Sequence, residues 1–193
     1  MEDKHSHSIG AMIKGALIGT MTGTGEVGSA AVDAVRQVLV TTIRGAADVG
    51  AELTRAVGEV TGAAVTTAGQ IGTDTTGAVS STTRGVIHAA KDVGADLGDT
   101  ARAAARGAIQ AANEVGGDLG ATAVAVVRGT IGATGHVGGD VSKAAEEAVR
   151  GALEGAGAIS QTAVKTVAQA LETGVTESKE IVATAVRKHT PQA

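Results

Sequence analysis

The chain contains no Phe, Trp, Tyr or Cys, and its single Pro stands at Pro191. Each absence excludes something. Without aromatics, a core has to be built from Val, Ile, Leu and Ala, and no platform exists for stacking bases. Without Cys there are no disulfides, no thiol catalysis and no Cys-ligated zinc. Without Pro before position 191, no helix is stopped by a missing N–H. There is no basic run either, and the formal net charge is −4. Nucleic acid is therefore not an expected partner. No apolar stretch reaches the roughly 18 residues that a membrane span needs. The nearest, 15–25, is closed in by Lys14 and Glu26. The acidic, polar start (Met-Glu-Asp-Lys-His-Ser) does not read as a secretory leader. These features predict a cytoplasmic, non-spanning chain, peripheral at most to a membrane or granule surface.

What is present is a repeat. Val27, Val49, Ile71, Val93, Val115, Val137, Ile159 and Ile181 follow one another at intervals of 22 residues, and the first six each precede a Gly. The units are 7–28, 29–50, 51–72, 73–94, 95–116, 117–138, 139–160 and 161–182, between a polar tail at 1–6 and a second tail at 183–193. Twice 11 residues is a helical period, since 11 residues make three turns of about 3.67. Unit position 15 is Met21, Ile43, Val65, Ile87, Ile109, Ile131, Leu153 and Val175. Position 12 becomes Arg84, Arg106, Arg128 and Arg150, each followed by Gly. Position 2 becomes Glu52, Asp74, Asp96, Asp118 and Asp140.

At about 98° per residue the Val/Ile columns gather on one side of a helix and most of the charge on the other. Runs such as Ala101-Arg102-Ala103-Ala104-Ala105-Arg106 are helix formers. The expected fold class is therefore all-α: long amphipathic helices built from eight 22-residue repeats, either extended or folded back into a right-handed bundle. The apolar columns keep their phase across each Val-Gly pair, which predicts helices running through several units. The alternative treats Val-Gly-x-Asp as punctuation, with Gly closing one helix and Asp capping the next.

The 29 glycines are costly inside helices, at about 0.5–1 kcal/mol each relative to Ala. Two explanations compete. One is close helix approach through small-xxx-small spacing, as in Gly94-x-x-x-Gly98, Gly116-x-x-x-Gly120 and Gly15-x-x-x-Gly19-x-x-x-Gly23. The other is a chain that stays unfolded until an apolar surface receives it.

The segment 60–79, Val-Thr-Gly-Ala-Ala-Val-Thr-Thr-Ala-Gly-Gln-Ile-Gly-Thr-Asp-Thr-Thr-Gly-Ala-Val, resembles the Thr/Val/Gly-rich 11-residue repeats of perilipins. The wider scheme, over about 7–186, is similar to synuclein 11-mers and to the 22-mers of exchangeable apolipoproteins. The resemblance implies long amphipathic helices lying on lipid droplets, vesicles or lipoproteins. The chain departs from those families in lacking the Pro between apolipoprotein units and the Lys-rich flanks of synuclein and perilipin repeats.

No catalytic constellation is found, so the chain is expected not to be an enzyme and to need no cofactor or metal. Gly23-Thr24-Gly25-Glu26-Val27-Gly28 spells G-x-G-x-x-G but has no strand before it. His5 and His7 lie in the polar tail, and His88 replaces Arg44 at position 16, an exposed polar-face position. The column Arg84, Arg106, Arg128, Arg150 is expected either to meet phosphate groups or a partner's acids, or to form a solvated face with pairs such as Asp99–Arg102 and Asp99–Arg106. The stripe Val27, Ile43, Val49, Val65, Ile71, Ile87, Val93, Ile109, Val115, Ile131, Val137, Leu153 and Ile159 is the expected surface-binding or packing face. The expected function is a structural protein coating a lipid droplet, storage granule or membrane, its partner a lipid or other hydrophobic surface. The alternative is a self-assembling bundle or filament whose partner is a second copy. Aspartate at Ile109 and Ile131 should abolish either activity. Unchanged surface binding and unchanged assembly in that double variant would refute the stripe.

Overall fold

The structure is a computed structural model that describes residues 27–43, 49–71, 74–175 and 179–189. The polar tail at 1–6 and the first repeat up to residue 26, with its Gly15/Gly19/Gly23 series, its Met21 and most of its G-x-G-x-x-G run, lie outside the described residues. Among the described residues all regular structure is helical. The helices are α1 (Val27–Ile43), α2 (Val49–Ile71), α3 (Thr75–Asp92), α4 (Leu97–Glu114), α5 (Leu119–His136), α6 (Val141–Gly157), α7 (Gln161–Gly174) and α8 (Lys179–His189). The last one runs across the boundary placed at 182/183.

The chain folds back, and the helices do not run through several units. They end at Gly94, Gly116 and Gly138, which take φ of +71°, +67° and +69°. At each junction the same two bonds close the helix: Gly94 N–H to Lys91 O and Ala95 N–H to Ala90 O, then their equivalents at Gly116/Gly117 and Gly138/Gly139. This is the Schellman arrangement, with glycine at the left-handed position. Two residues later an aspartate opens the next helix. The Asp96 carboxylate accepts from the Gly98 and Asp99 N–H groups, Asp118 from Ala121, Asp140 from Lys143, and Asp74 from Thr76. Ser160 does the same for Ala163 at the start of α7. The column phase survives these breaks for a simple reason. Each 18-residue helix plus its four-residue junction again totals 22, so every unit turns the same face inward whether or not the helix is continuous.

The packing follows a two-step rule. Each helix packs against the helix two places later, giving two layers, α1/α3/α5/α7 and α2/α4/α6/α8, and consecutive helices meet across the core between the layers. Neighbours within a layer run parallel, since Gly58, Gly62 and Gly69 meet Ala103, Ala111 and Val115 in ascending order. The intervening helix must return the chain, so consecutive helices oppose each other.

Glycine makes the layers possible. A Cβ on Gly129 would sit 3.1 Å from the Ser80 carbonyl oxygen, and one on Gly85 would sit 2.7 Å from that of Val32. Side chains at Gly107 and Gly151 would strike the carbonyls of Gly58 and Arg102. These four glycines are the residues that follow Arg84, Arg106, Arg128 and Arg150. Gly94 and Gly116, by contrast, serve the turns, so the Gly94/Gly98 and Gly116/Gly120 spacings straddle junctions and are not packing stripes.

The core is thin and aliphatic. Val65, Ile87 and Ile109 are fully buried, and Leu153 nearly so. Val93, Val115, Ile131, Val137 and Ile159 are half-buried against them. Val27, Ile43, Val49 and Ile71 lie in helices, and their side chains are outside the described set. Buried Thr61 and Thr83 turn their hydroxyls back onto the carbonyls of Val57 and Val79, each at 2.8 Å. The buried hydroxyls of Thr82, Thr130 and Thr134 have no partner.

Two substitutions separate the two jobs of glycine. Gly107→Ala should cost about 1–3 kcal/mol by forcing α2 and α4 apart. Gly116→Ala should cost about 1 kcal/mol through left-handed strain alone. Thermal unfolding checks both, and an unaffected melting temperature in Gly107→Ala would refute the seam.

Candidate functional site

The polar outer faces are organised by ion pairs between parallel neighbours. Arg36 of α1 clasps Asp92 at the end of α3, with Nη2 3.0 Å from Oδ1. Lys143 of α6 reaches Asp96 at 2.6 Å, and Lys188 of α8 reaches Glu146 at 2.8 Å. Arg102 of α4 holds Glu154 of α6 with both arms of its guanidinium, Nε standing 2.9 Å from Oε2. The expected Asp99–Arg102 pair within α4 is thus displaced: a carboxylate on the neighbouring helix offers a two-armed fit that the i, i+3 position does not.

The arginine column is split between the layers. Arg84 is exposed and donates to Ser80 Oγ at 3.1 Å. Arg128 is exposed and donates to the Gly174 carbonyl at 2.6 Å, at the C-terminus of α7, where a cation is favoured by the helix dipole. Arg150 is half-buried and pairs with Glu154 at 3.2 Å and Glu147 at 3.7 Å. Arg106 is exposed, and the expected Asp99–Arg106 pair does not form among the described residues. The column therefore does not converge on one point. His88, expected on the exposed face, is half-buried.

Electrostatics follow the pairs. Burial pushes the Glu154 carboxyl up, but the bonds and charges of Arg102 and Arg150 together outweigh it, so it lies below its ordinary value. Asp96 is held down first by the Lys143 bond and then by the Asp99 N–H, and Asp74 first by the Thr76 hydroxyl. Hydrogen bonds to Asp92, Glu154 and Asp96 raise Arg36, Arg102 and Lys143 respectively.

One concavity stands out on the α2/α4/α6/α8 layer. A cleft of about 930 Å³ runs between α2 and α4. Gly58, Gly62, Ala63, Ala103, Gly107 and Ala111 form its floor, and longer polar side chains such as Glu59, Arg106 and Glu114 form its walls. A smaller hollow at Leu53, Thr54, Arg55 and Thr100 continues it toward the start of α4. Among the described residues no three His, Cys, Asp or Glu side chains gather in a metal-binding group. The cleft is barely legible in the sequence. Its only trace there is that unit 51–72 has Gly at positions 8 and 12, where later units carry Arg102 and the arginine column.

Fold and surface together define a class: a two-layer helical repeat protein with a cleft on one layer. The chain matches no protein-family model and no curated protein sequence. No described helix is long and apolar enough to cross a membrane.

Asp74, Asp96 and Glu154 are all lower in the fold than free. Their contribution is complete above the ordinary carboxylate range near pH 4 and fades as the pH falls through and below it. The melting temperature should therefore hold from neutrality to about pH 5 and decline below about pH 4. Glu154→Gln should flatten part of that drop. A melting temperature flat down to pH 2 would contradict the assigned pairs.

Proposed function

We propose that the chain is a non-enzymatic structural scaffold whose repeats pack through their own Val/Ile/Ala/Gly stripe. The observation that carries this reading is where the stripe goes: Val65, Ile87, Ile109 and Leu153 are spent in the core between the two layers. What the folded array offers to partners is its paired, polar outer face and the α2/α4 cleft. Such a scaffold needs no cofactor and works as a peripheral or cytoplasmic protein, with a second copy or another protein as partner and no nucleic acid.

A coat on a lipid or other hydrophobic surface is the second reading, and it has its own support. The core has no aromatic side chain, and Thr82, Thr130 and Thr134 bury hydroxyls without partners, each a destabilising term of about 1–3 kcal/mol. A closed state weakened in this way has less to lose by opening its stripe onto an apolar surface. The repeats' likeness to perilipin, synuclein and apolipoprotein repeats belongs to this reading.

Circular dichroism with sedimentation separates the two. The scaffold should be strongly helical in plain buffer, and sedimentation reports whether it is the 18.7 kDa monomer or a larger assembly. A coil in buffer that becomes helical only with lipid emulsion would overturn the scaffold and leave the coat.

A further inference from the structure

We infer that the α2/α4 cleft is a docking site for a basic segment of a partner protein. This names the partner class of the proposed scaffold and rests on that reading.

The repeat supplies its own comparison. Between α4 and α6, unit position 8 is Arg102 and position 16 of the later unit is Glu154, and their two-armed pair bridges the seam. Between α2 and α4 the same two positions are Gly58 and Gln110. The space that a salt bridge occupies at one seam is open at the other.

Packing does not demand these glycines. A Cβ on Gly58 would lie 3.8 Å from the Ala103 carbonyl oxygen, and one on Gly62 3.6 Å from the Ala111 Cβ. Those are ordinary contacts, unlike the clashes that side chains at Gly85 and Gly151 would make. Both glycines have negative φ, so no turn requires them. A helix-weakening residue used twice where neither backbone conformation nor close approach calls for it keeps a floor clear.

The charges state what the floor receives. Four carboxylates and three guanidiniums line the cleft. The Arg102–Glu154 pair takes one of each, which leaves Glu59, Asp99 and Glu114 against Arg55 and Arg106. Glu59 on the α2 wall and Glu114 on the α4 wall are exposed, and their carboxylates make no hydrogen bond or ion pair with any described residue. A Lys or Arg laid across Gly58 and Gly62 finds a carboxylate on each side, and Arg106 in the same cleft receives an acidic neighbour and sets the segment's direction.

The test uses the full chain and an alternating Ala/Lys peptide of about ten residues, long enough for the roughly 22 Å from Asp99 to Glu114 along α4. An alternating Ala/Glu peptide serves as the control. The Lys peptide should bind saturably, and the double variant Glu59→Gln/Glu114→Gln should weaken it about tenfold. Gly58→Arg combined with Gln110→Glu, which rebuilds the neighbouring seam's pair inside the cleft, should abolish binding. All four sites are partly or fully exposed, and circular dichroism verifies that both variants stay helical. Equal binding to wild type and variants, preference for the Glu peptide, or no binding to the folded chain would each overturn the site. Because folding in buffer is read separately, a helical chain that ignores the Lys peptide overturns the cleft and leaves the scaffold standing.

Discussion

Everything in this fold depends on the approach of parallel helix backbones at the glycine that follows each column arginine. At Gly107 and Gly151 the neighbouring helix presents a carbonyl where any side chain would have to go. Contacts so close are held by many small dispersion terms and by Cα–H···O interactions, individually weak and numerous along a seam. They also set the chemistry of the core. When axes are this near, the space between layers has room for Ala, Val and an occasional Ile or Leu, and an aromatic ring would force the layers apart. The absence of Phe, Tyr and Trp is thus of a piece with the abundance of Gly.

The same geometry decides where charge can be placed. A seam without side chains cannot hold a bridge at its centre, so ion pairs form over its outer edge, as Arg102–Glu154 and Lys143–Asp96 do. Such pairs are partly hydrated and each adds little on its own. Their effect is on register: a two-armed arginine grip tells parallel helices how far to slide, which a smooth glycine seam does not. The α2/α4 seam has glycine at the position of Arg102, and there the outer edge stands open as a cleft.

Much of the fold was legible in the chain. The 22-residue interval, the all-α class, the apolar columns at Ile87 and Ile109 and the exposed Arg84, Arg106 and Arg128 are as the spacing predicted. The continuity of the helices was misread, because phase in a repeat with a constant period carries no information about breaks. The signal that did carry it was the pairing of Gly94, Gly116 and Gly138 with an aspartate two residues on. The partner of Arg102 was not legible, since Glu154 lies 52 positions away on another helix, whereas those of Arg150 stand at the helical i, i+3 and i, i+4 spacings. Nor was the cleft, since glycine at positions 58 and 62 reads like glycine anywhere else in a chain that has so many.

The sequence by itself determined that this protein is a linear array of equivalent amphipathic helices with an aliphatic inner face. Those properties are local: helix propensity, turn chemistry and the arc of apolar positions all lie within one 22-residue unit. Only the tertiary structure decided which unit meets which. Helices two apart pack side by side because short junctions force consecutive helices to oppose each other across the core, and because the glycine column offers its backbone to a parallel neighbour. From that pairing follow the ion-pair register, the burial of the stripe and the open edge of the α2/α4 seam. None of these resides in a single repeat, because each is a relation between residues some 40 to 60 positions apart.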